Sequence, residues 1–179
     1  MDDTPSAGDE QVVDIYIVST DETVAVPLKE RLGKKEVRVA VFADEEKLEE
    51  ANPGIQPDLL IFDGQVGKPE ICEVIRRIKD DDAKRGIPVL VLTNAVTMED
   101  LFWVLESDAD NFIAPPYDLP DNLSLINDML ATSGNAPARG EIETLFRVRH
   151  DEKTYVFAAT SRKLLDLLLS SFDIMVRKS

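Results

Sequence analysis

The 179-residue chain contains a single cysteine, Cys72. One cysteine cannot make an intrachain disulfide, so the fold must hold without cross-links, and the reducing cytoplasm is the expected compartment. Cys72 lies in an apolar-periodic stretch and reads as a small core residue rather than a reactive thiol. Histidine is equally scarce. His150, the only one, falls in an expected turn outside the main domain and reads as a solvated residue. No Ser-His-Asp arrangement and no histidine metal site is expected. Basic residues are outnumbered, with 20 Lys and Arg against 35 Asp and Glu and a net charge of −15. Repulsion from phosphates therefore argues against a nucleic-acid partner, a DNA-binding output module or an anionic membrane surface. No apolar run approaches the ~20 residues needed to cross a bilayer. The start, MDDTPSAGDEQ, lacks the basic and apolar regions of a signal peptide. A soluble protein with no membrane insertion is expected.

What is present is a 44% hydrophobic chain, long enough for one well-cored domain with about forty residues left for an appendage. Residues 1–11 are polar and acidic and read as a disordered leader. Val12 to Val18, VVDIYIV, is rich in β-branched residues and reads as a strand. Ser19 or Thr20 is expected to cap a helix running to Leu32, stopped by Gly33 and bent or delayed by Pro27. Glu36 to Phe42 alternates as a second strand, and Asp44 opens a short acidic helix through Ala51.

Pro57-Asp58-Leu59-Leu60-Ile61-Phe62-Asp63-Gly64 then places four large apolar residues in a row, the pattern of a strand buried on both faces of a parallel sheet. It stops at a carboxylate. Ligands bind beyond the carboxyl ends of strands in such sheets, so Asp63 is a candidate reactive group, with Gly64 letting the backbone turn after it. The alternative is an Asp that caps the strand end.

Lys68 to Asp80 carries Ile71, Val74, Ile75 and Ile78 at helical spacing, with Arg76, Arg77 and Lys79 on the other face. Ile87 to Leu92 repeats the buried-strand pattern and ends at Thr93. A helix over Thr97 to Ser107 leaves Trp103 off its apolar stripe, either half-exposed and available to a partner or, as is commoner, a partly buried surface residue. Asp110 to Ala114 is a short fifth strand before Pro115-Pro116, whose peptide bond is a candidate for cis geometry. Leu119 to Ala131 forms a last helix. Five strand–helix pairs predict a flavodoxin-like (βα)5 doubly wound parallel sheet over 12–131. In the order 2-1-3-4-5 the ends of strands 1, 3 and 4 share one crevice.

The stretches DIYIVSTDE, PDLLIFDG, VLVLTN and DADNFIAPPYD resemble the CheY-like receiver domain of two-component response regulators, across about residues 12–131. The resemblance implies that Asp63 is the phosphoacceptor for a histidine kinase and that Thr93 is the hydroxyl that binds the phosphoryl group. It further implies that Phe112 is the aromatic that switches with Thr93, and that Asp63, Asp21 and the backbone carbonyl of Gln65 are the groups available to Mg2+, the one cofactor implied. The chain departs from the family in three places. Ser19 and Thr20 stand where an acidic pair follows the first strand, with Asp21 and Glu22 one step late. Pro115 stands where a lysine precedes Pro116. Val66-Gly67 replaces a methionine-proline. With two of the three supporting charged groups missing, transfer loses most of its electrostatic stabilisation. The expectation is an atypical receiver, not an enzyme, that signals through protein contacts with weak or absent phosphotransfer. A working regulator phosphorylated on Asp63 is the alternative. The same stretches are also similar to haloacid-dehalogenase-like phosphatases, but those need a second acid where this chain has Gln65.

Residues 132–141 read as a linker. Glu143 to Arg149 and Thr154 to Ala159 read as a β-hairpin, and Arg162 to Lys178 as a helix whose apolar residues cover more than one stripe. That helix must pack on the receiver, on a second copy or on another domain. Self-association through 142–178 is the favoured reading, intramolecular docking the alternative. The tail also resembles the segment joining receivers to sensor or kinase modules in some archaeal signalling proteins. This likeness implies that the chain is part of a longer protein.

Overall fold

The computed structural model describes residues 12–51, 54, 56–64, 68–93, 97–117, 120–133 and 143–178. The expected leader, most of the linker, Gln65 and the Val66-Gly67 pair lie outside the described residues. The elements run β1 (Val13–Val18), α1 (Glu22–Leu32), β2 (Val37–Phe42), α2 (Glu45–Ala51), β3 (Leu59–Asp63), α3 (Lys68–Asp80), β4 (Val89–Leu92), α4 (Met98–Ser107), β5 (Asn111–Ile113) and α5 (Pro120–Thr132). The tail adds β6 (Thr144–His150), β7 (Lys153–Ala159) and α6 (Ser161–Lys178).

Strands β2-β1-β3-β4-β5 form one parallel sheet in that order. Every residue of β3 and β4 is buried, as their unbroken apolar runs require. Alternate side chains feed two cores. Ile15, Ile17, Leu59, Ile61 and Leu90 pack with Leu28 of α1 and Ile126 of α5. Tyr16, Leu60, Phe62 and Val91 pack with Ile75 of α3 and Val104 of α4. Cys72 of α3 is buried against the Trp103 carbonyl, and burial pushes its thiol up to about 11, so it is a core residue as expected.

Several local readings need correction. Helix α1 is capped by Asp21, which accepts from the Thr23 N–H at 2.8 Å, and not by Ser19 or Thr20. The helix runs continuously through Pro27. Lys79 does not face solvent. Its side chain is 10% exposed, and Nζ donates to Asp110 Oδ2 at 2.6 Å and to the Ile87 carbonyl at 2.9 Å. The Pro115-Pro116 bond is cis.

The hairpin turns on Asp151 and Glu152, both at positive φ (44° and 65°), the backbone of a tight two-residue connection. It does not stand alone. Phe157, Ala159, Leu167 and Ile174 enter the same apolar cluster as Phe102, Val104 and Phe112. The Phe102 ring stacks on Tyr155 at 4.5 Å and tilts against His150 at 5.7 Å, so His150 ends a strand against an aromatic ring and is not a solvated turn residue. Polar contacts ring the interface. The Val156 N–H donates to Glu106 Oε1 at 3.3 Å, Ser170 Oγ donates to Asn111 Oδ1 at 2.9 Å, and Lys163 pairs with Asp108. One face of α6 is thus docked on its own receiver, while Leu165, Leu168 and Phe172 on another face stay exposed.

The two faces of the hairpin should respond differently to truncation. Phe157→Ala is expected to cost about 3–5 kcal/mol, because it opens a cavity in the shared core. Leu145→Ala, at a side chain 71% exposed, is expected to stay within about 0.5 kcal/mol. Urea unfolding of both variants checks the pair, and equal costs would mean that the hairpin is not docked.

Candidate functional site

Parallel register brings the strand ends together. Val18 lies opposite Phe62 and Asp63 opposite Leu92, so Ser19, Asp63 and Thr93 follow one another across β1, β3 and β4. Backbone bonds extend the sheet past its formal ends, with the Ser19 N–H donating to the Phe42 carbonyl and the Thr93 N–H to the Ile113 carbonyl, both at 2.9 Å.

Asp63 is fully buried, and its Oδ2 accepts from Ser19 Oγ at 2.7 Å. Ser19 Oγ in turn accepts from the Asp21 N–H at 3.0 Å. The hydroxyl proton is therefore committed to the carboxylate and a lone pair to the backbone, which fixes the Ser19 rotamer. Burying a carboxylate is costly unless donors meet it, and this short O–H···O bond is one such donor. The sequence marks Ser19 as a strand-end polar residue, a candidate helix cap and a departure from an acidic pair, but not as the donor to Asp63. The signal for its role is its place as the first residue past β1, level with Asp63.

Asp21 is turned to the helix start. Its Oδ1 accepts from both the Thr23 N–H and Thr23 Oγ1, the latter at 2.6 Å. The Thr23 hydroxyl, followed by the Thr23 backbone N–H, holds this carboxyl below its ordinary range. Thr93 is 6% exposed, and its Oγ1 has no hydrogen-bond partner among the described residues, while its carbonyl accepts from Tyr117 Oη at 3.2 Å. An unpaired buried hydroxyl costs about 1–3 kcal/mol, so this one stands ready for an acceptor. Phe112 is buried (1% exposed) in the cluster that receives Phe157, Leu167 and Ile174 of the tail.

Gly64 lies in the expected turn after β3 and is also closed in by its neighbours. A Cβ there would lie 2.7 Å from the Leu92 carbonyl oxygen, 3.3 Å from Val91 Cγ1 and 3.6 Å from Trp103 Cη2. The Gly64 N–H donates to that same Leu92 oxygen at 2.9 Å. The Trp103 ring tip therefore fills the space beside the end of β3, and Trp103 is partly buried, the commoner of the two expected cases.

These residues do not fit a Mg2+ ion. A hard divalent cation wants several anionic oxygens, whereas Asp63 has a neutral hydroxyl as its neighbour and Asp21 is engaged as a helix cap. Among the described residues no group of three or more Asp, Glu, His or Cys side chains converges. Gln65, the third implied ligand, lies outside the described residues.

An aspartate ending the central strand of a five-stranded 2-1-3-4-5 sheet, flanked by hydroxyls on the neighbouring strands, defines a flavodoxin-like signalling domain as the class. The family is equally plain: the response regulator receiver domain matches residues 15–127, and the chain belongs to that family. Among relatives, the DNA-binding dual master transcriptional regulator RpaA of Synechocystis is 29% identical over 83 residues, 46% of this chain and 34% of that protein. The DNA-binding response regulator MtrA of Mycobacterium tuberculosis is 27% identical over 166 residues, 90% of this chain and 68% of that protein. The chain thus spans about a third of RpaA and about two thirds of MtrA. Both relatives are named as DNA-binding, so they lend no support to the expectation of no nucleic-acid partner.

Among solved structures, the receiver domain of a signal transduction histidine kinase from Syntrophus aciditrophicus is 27% identical with a TM-score of 0.58, covering 71% of this chain and 96% of that one. The receiver of sensor histidine kinase PA1611 from Pseudomonas aeruginosa, solved with magnesium in its active-site cleft, shares the fold at 17% identity, with a TM-score of 0.56 and coverage of 69% and 98%. Among the described residues no helix is long and apolar enough to cross a membrane.

Because the Gly64 position is closed by backbone, Gly64→Ala is expected to destabilise the protein by about 1–3 kcal/mol. Thermal and urea unfolding read this cost, and an unchanged midpoint would show that β4 yields freely.

Proposed function

We propose that this chain is an atypical cytoplasmic receiver, a signalling module and not an enzyme, that works through protein contacts with weak or absent phosphotransfer at Asp63. The observation that carries this reading is the Ser19 hydroxyl bonded at 2.7 Å to Asp63. A neutral donor occupies the place where a second carboxylate would help hold a cation. Phosphoryl transfer depends on charge neutralisation more than on any covalent help from the protein, and Pro115 supplies no ammonium to replace the cation. A histidine kinase or another signalling protein is the partner class, together with a second copy of the chain. Nucleic acid is not the proposed target, because the chain carries a net charge of −15.

Contact signalling is supported by the position of the tail. It is packed on α4 and β5, the elements next to Thr93 and Phe112, so a partner that moves the tail and an event at the strand ends act on the same core.

A second reading, a regulator phosphorylated on Asp63, is favoured by the buried Thr93 hydroxyl without a partner among the described residues. Incubation with acetyl phosphate and Mg2+ followed by intact mass measurement separates the two. We expect adduct on less than about a tenth of the molecules, given the missing electrostatic groups. Near-complete phosphorylation that disappears in Asp63→Asn overturns the atypical reading. In the reverse direction, Ser19→Asp puts a second carboxylate beside Asp63 and is expected to raise Mg2+ affinity by about tenfold or more, measured by titration calorimetry.

A further inference from the structure

Helix α6 carries two rows of side chains, each with three- and four-residue steps and offset from the other by one position. Leu164, Leu167, Ser171 and Ile174 form the inner row, half-buried or buried on the receiver. Leu165, Leu168, Phe172 and Met175 form the outer row, flanked by Leu169 and Val176, and all six of these are 55–59% exposed. Spacing of 3, 4 and 3 is the period at which one helix meets another along a continuous seam.

We infer that the outer row of α6 is the surface on which two copies of this chain associate, each copy keeping its hairpin and inner row docked on its own receiver. The inference rests on the proposed self-association and assigns it to particular residues.

Three observations favour a second copy as the occupant. The first is size: fully covering these six side chains removes on the order of 600 Å² of apolar surface per copy, against about 800 Å² per partner in a standard interface. A monomer rarely leaves such a patch bare. The second is charge. The chain is strongly acidic as a whole, yet α6 carries Arg162, Lys163, Arg177 and Lys178 against Asp166 and Asp173. By spacing, none of these falls in the outer row. With four basic and two acidic residues α6 is the exception in an acidic chain, and two copies repel each other least where the contacting row itself is neutral. The third is the chain's own composition. The stretches MDDTPSAGDEQ at 1–11 and GNAPARGEI at 134–142 are too polar to cover the row from within. A single self-matching row also suits a two-fold axis, the commonest way for copies to pair.

The test is sedimentation of the full chain over roughly 1 to 100 μM, the range that brackets a moderate dimer. The expected result is a dimer whose dissociation constant rises at least about a hundredfold in Leu168→Lys/Phe172→Lys, as loss of two central apolar anchors implies. Because lysines facing one another across a two-fold seam also repel, Leu168→Ser/Phe172→Ser, which adds no charge, must weaken pairing as well. The control Leu145→Lys/Val156→Lys, on the exposed face of the hairpin, should pair like the parent. If lysine disturbs α6 by circular dichroism, Leu168→Ser/Phe172→Ser makes the same comparison with milder side chains. A parent that stays monomeric throughout overturns both the inference and the self-association beneath it. A dimer unaffected by the outer-row variants overturns the inference alone, leaving self-association to another surface.

Discussion

Burial of the central strands on both faces is the constraint from which the rest follows. When β3 and β4 expose neither face to water, their side chains must be apolar along the whole run. Polar chemistry can then appear only where the strands stop. Parallel pairing aligns those stops, which places a carboxylate and two hydroxyls from three separate strands at one end of the sheet, beside the start of α1. The tail obeys the same constraint. It is held because β5 and α4 still present apolar surface on the flank of the sheet, and Phe157, Leu167 and Ile174 cover it.

At the crevice, one residue type decides what the site can do. A serine beside Asp63 satisfies the buried carboxylate with a hydrogen bond, where a second carboxylate would repel it and call for a cation. The first arrangement is self-contained, and the second is incomplete until an ion arrives. Asp21, two residues beyond Ser19, is held at the start of α1 by two donors from Thr23 on its Oδ1. Family membership and this local chemistry therefore speak to different questions. The fold is that of a receiver, while at its strand ends the Asp63 carboxylate is met by the Ser19 hydroxyl and the buried Thr93 hydroxyl has no partner among the described residues.

The strands were legible because periodicity and turn residues repeat the same message: PDLLIFDG and IPVLVL need no tertiary information to be read as buried strands. Asp63 and Thr93 could be singled out for the same reason, since each is the first polar residue after such a run. The capping of α1 was missed because Ser19, Thr20 and Asp21 are all good caps, and only the demand of Asp63 for a donor draws Ser19 away from that task. Lys79 was missed because helical spacing shows which way a side chain leaves the helix but not that its long stem can fold back to Asp110 and the Ile87 carbonyl. His150 and Trp103 depend on contacts across more than thirty positions, His150 with Phe102 and Trp103 with Gly64. No local pattern encodes such contacts. For the tail, composition showed that α6 had more than one apolar face, and the docked structure separates the inner row from the outer.

Helix α4 has two tenants on adjacent residues. Phe102 holds Tyr155 and His150 of the hairpin, while Trp103, the next residue, reaches over Gly64 beside Asp63. Successive helical residues point about 100° apart, so the helix works as a cam. A small rotation about its own axis that moved one side chain would move the other, so α4 links the edge of the crevice to the hairpin. Because the lone tryptophan of the chain is one of the two, the rotation carries its own optical label, and the indole emission of the unmodified protein reports on it.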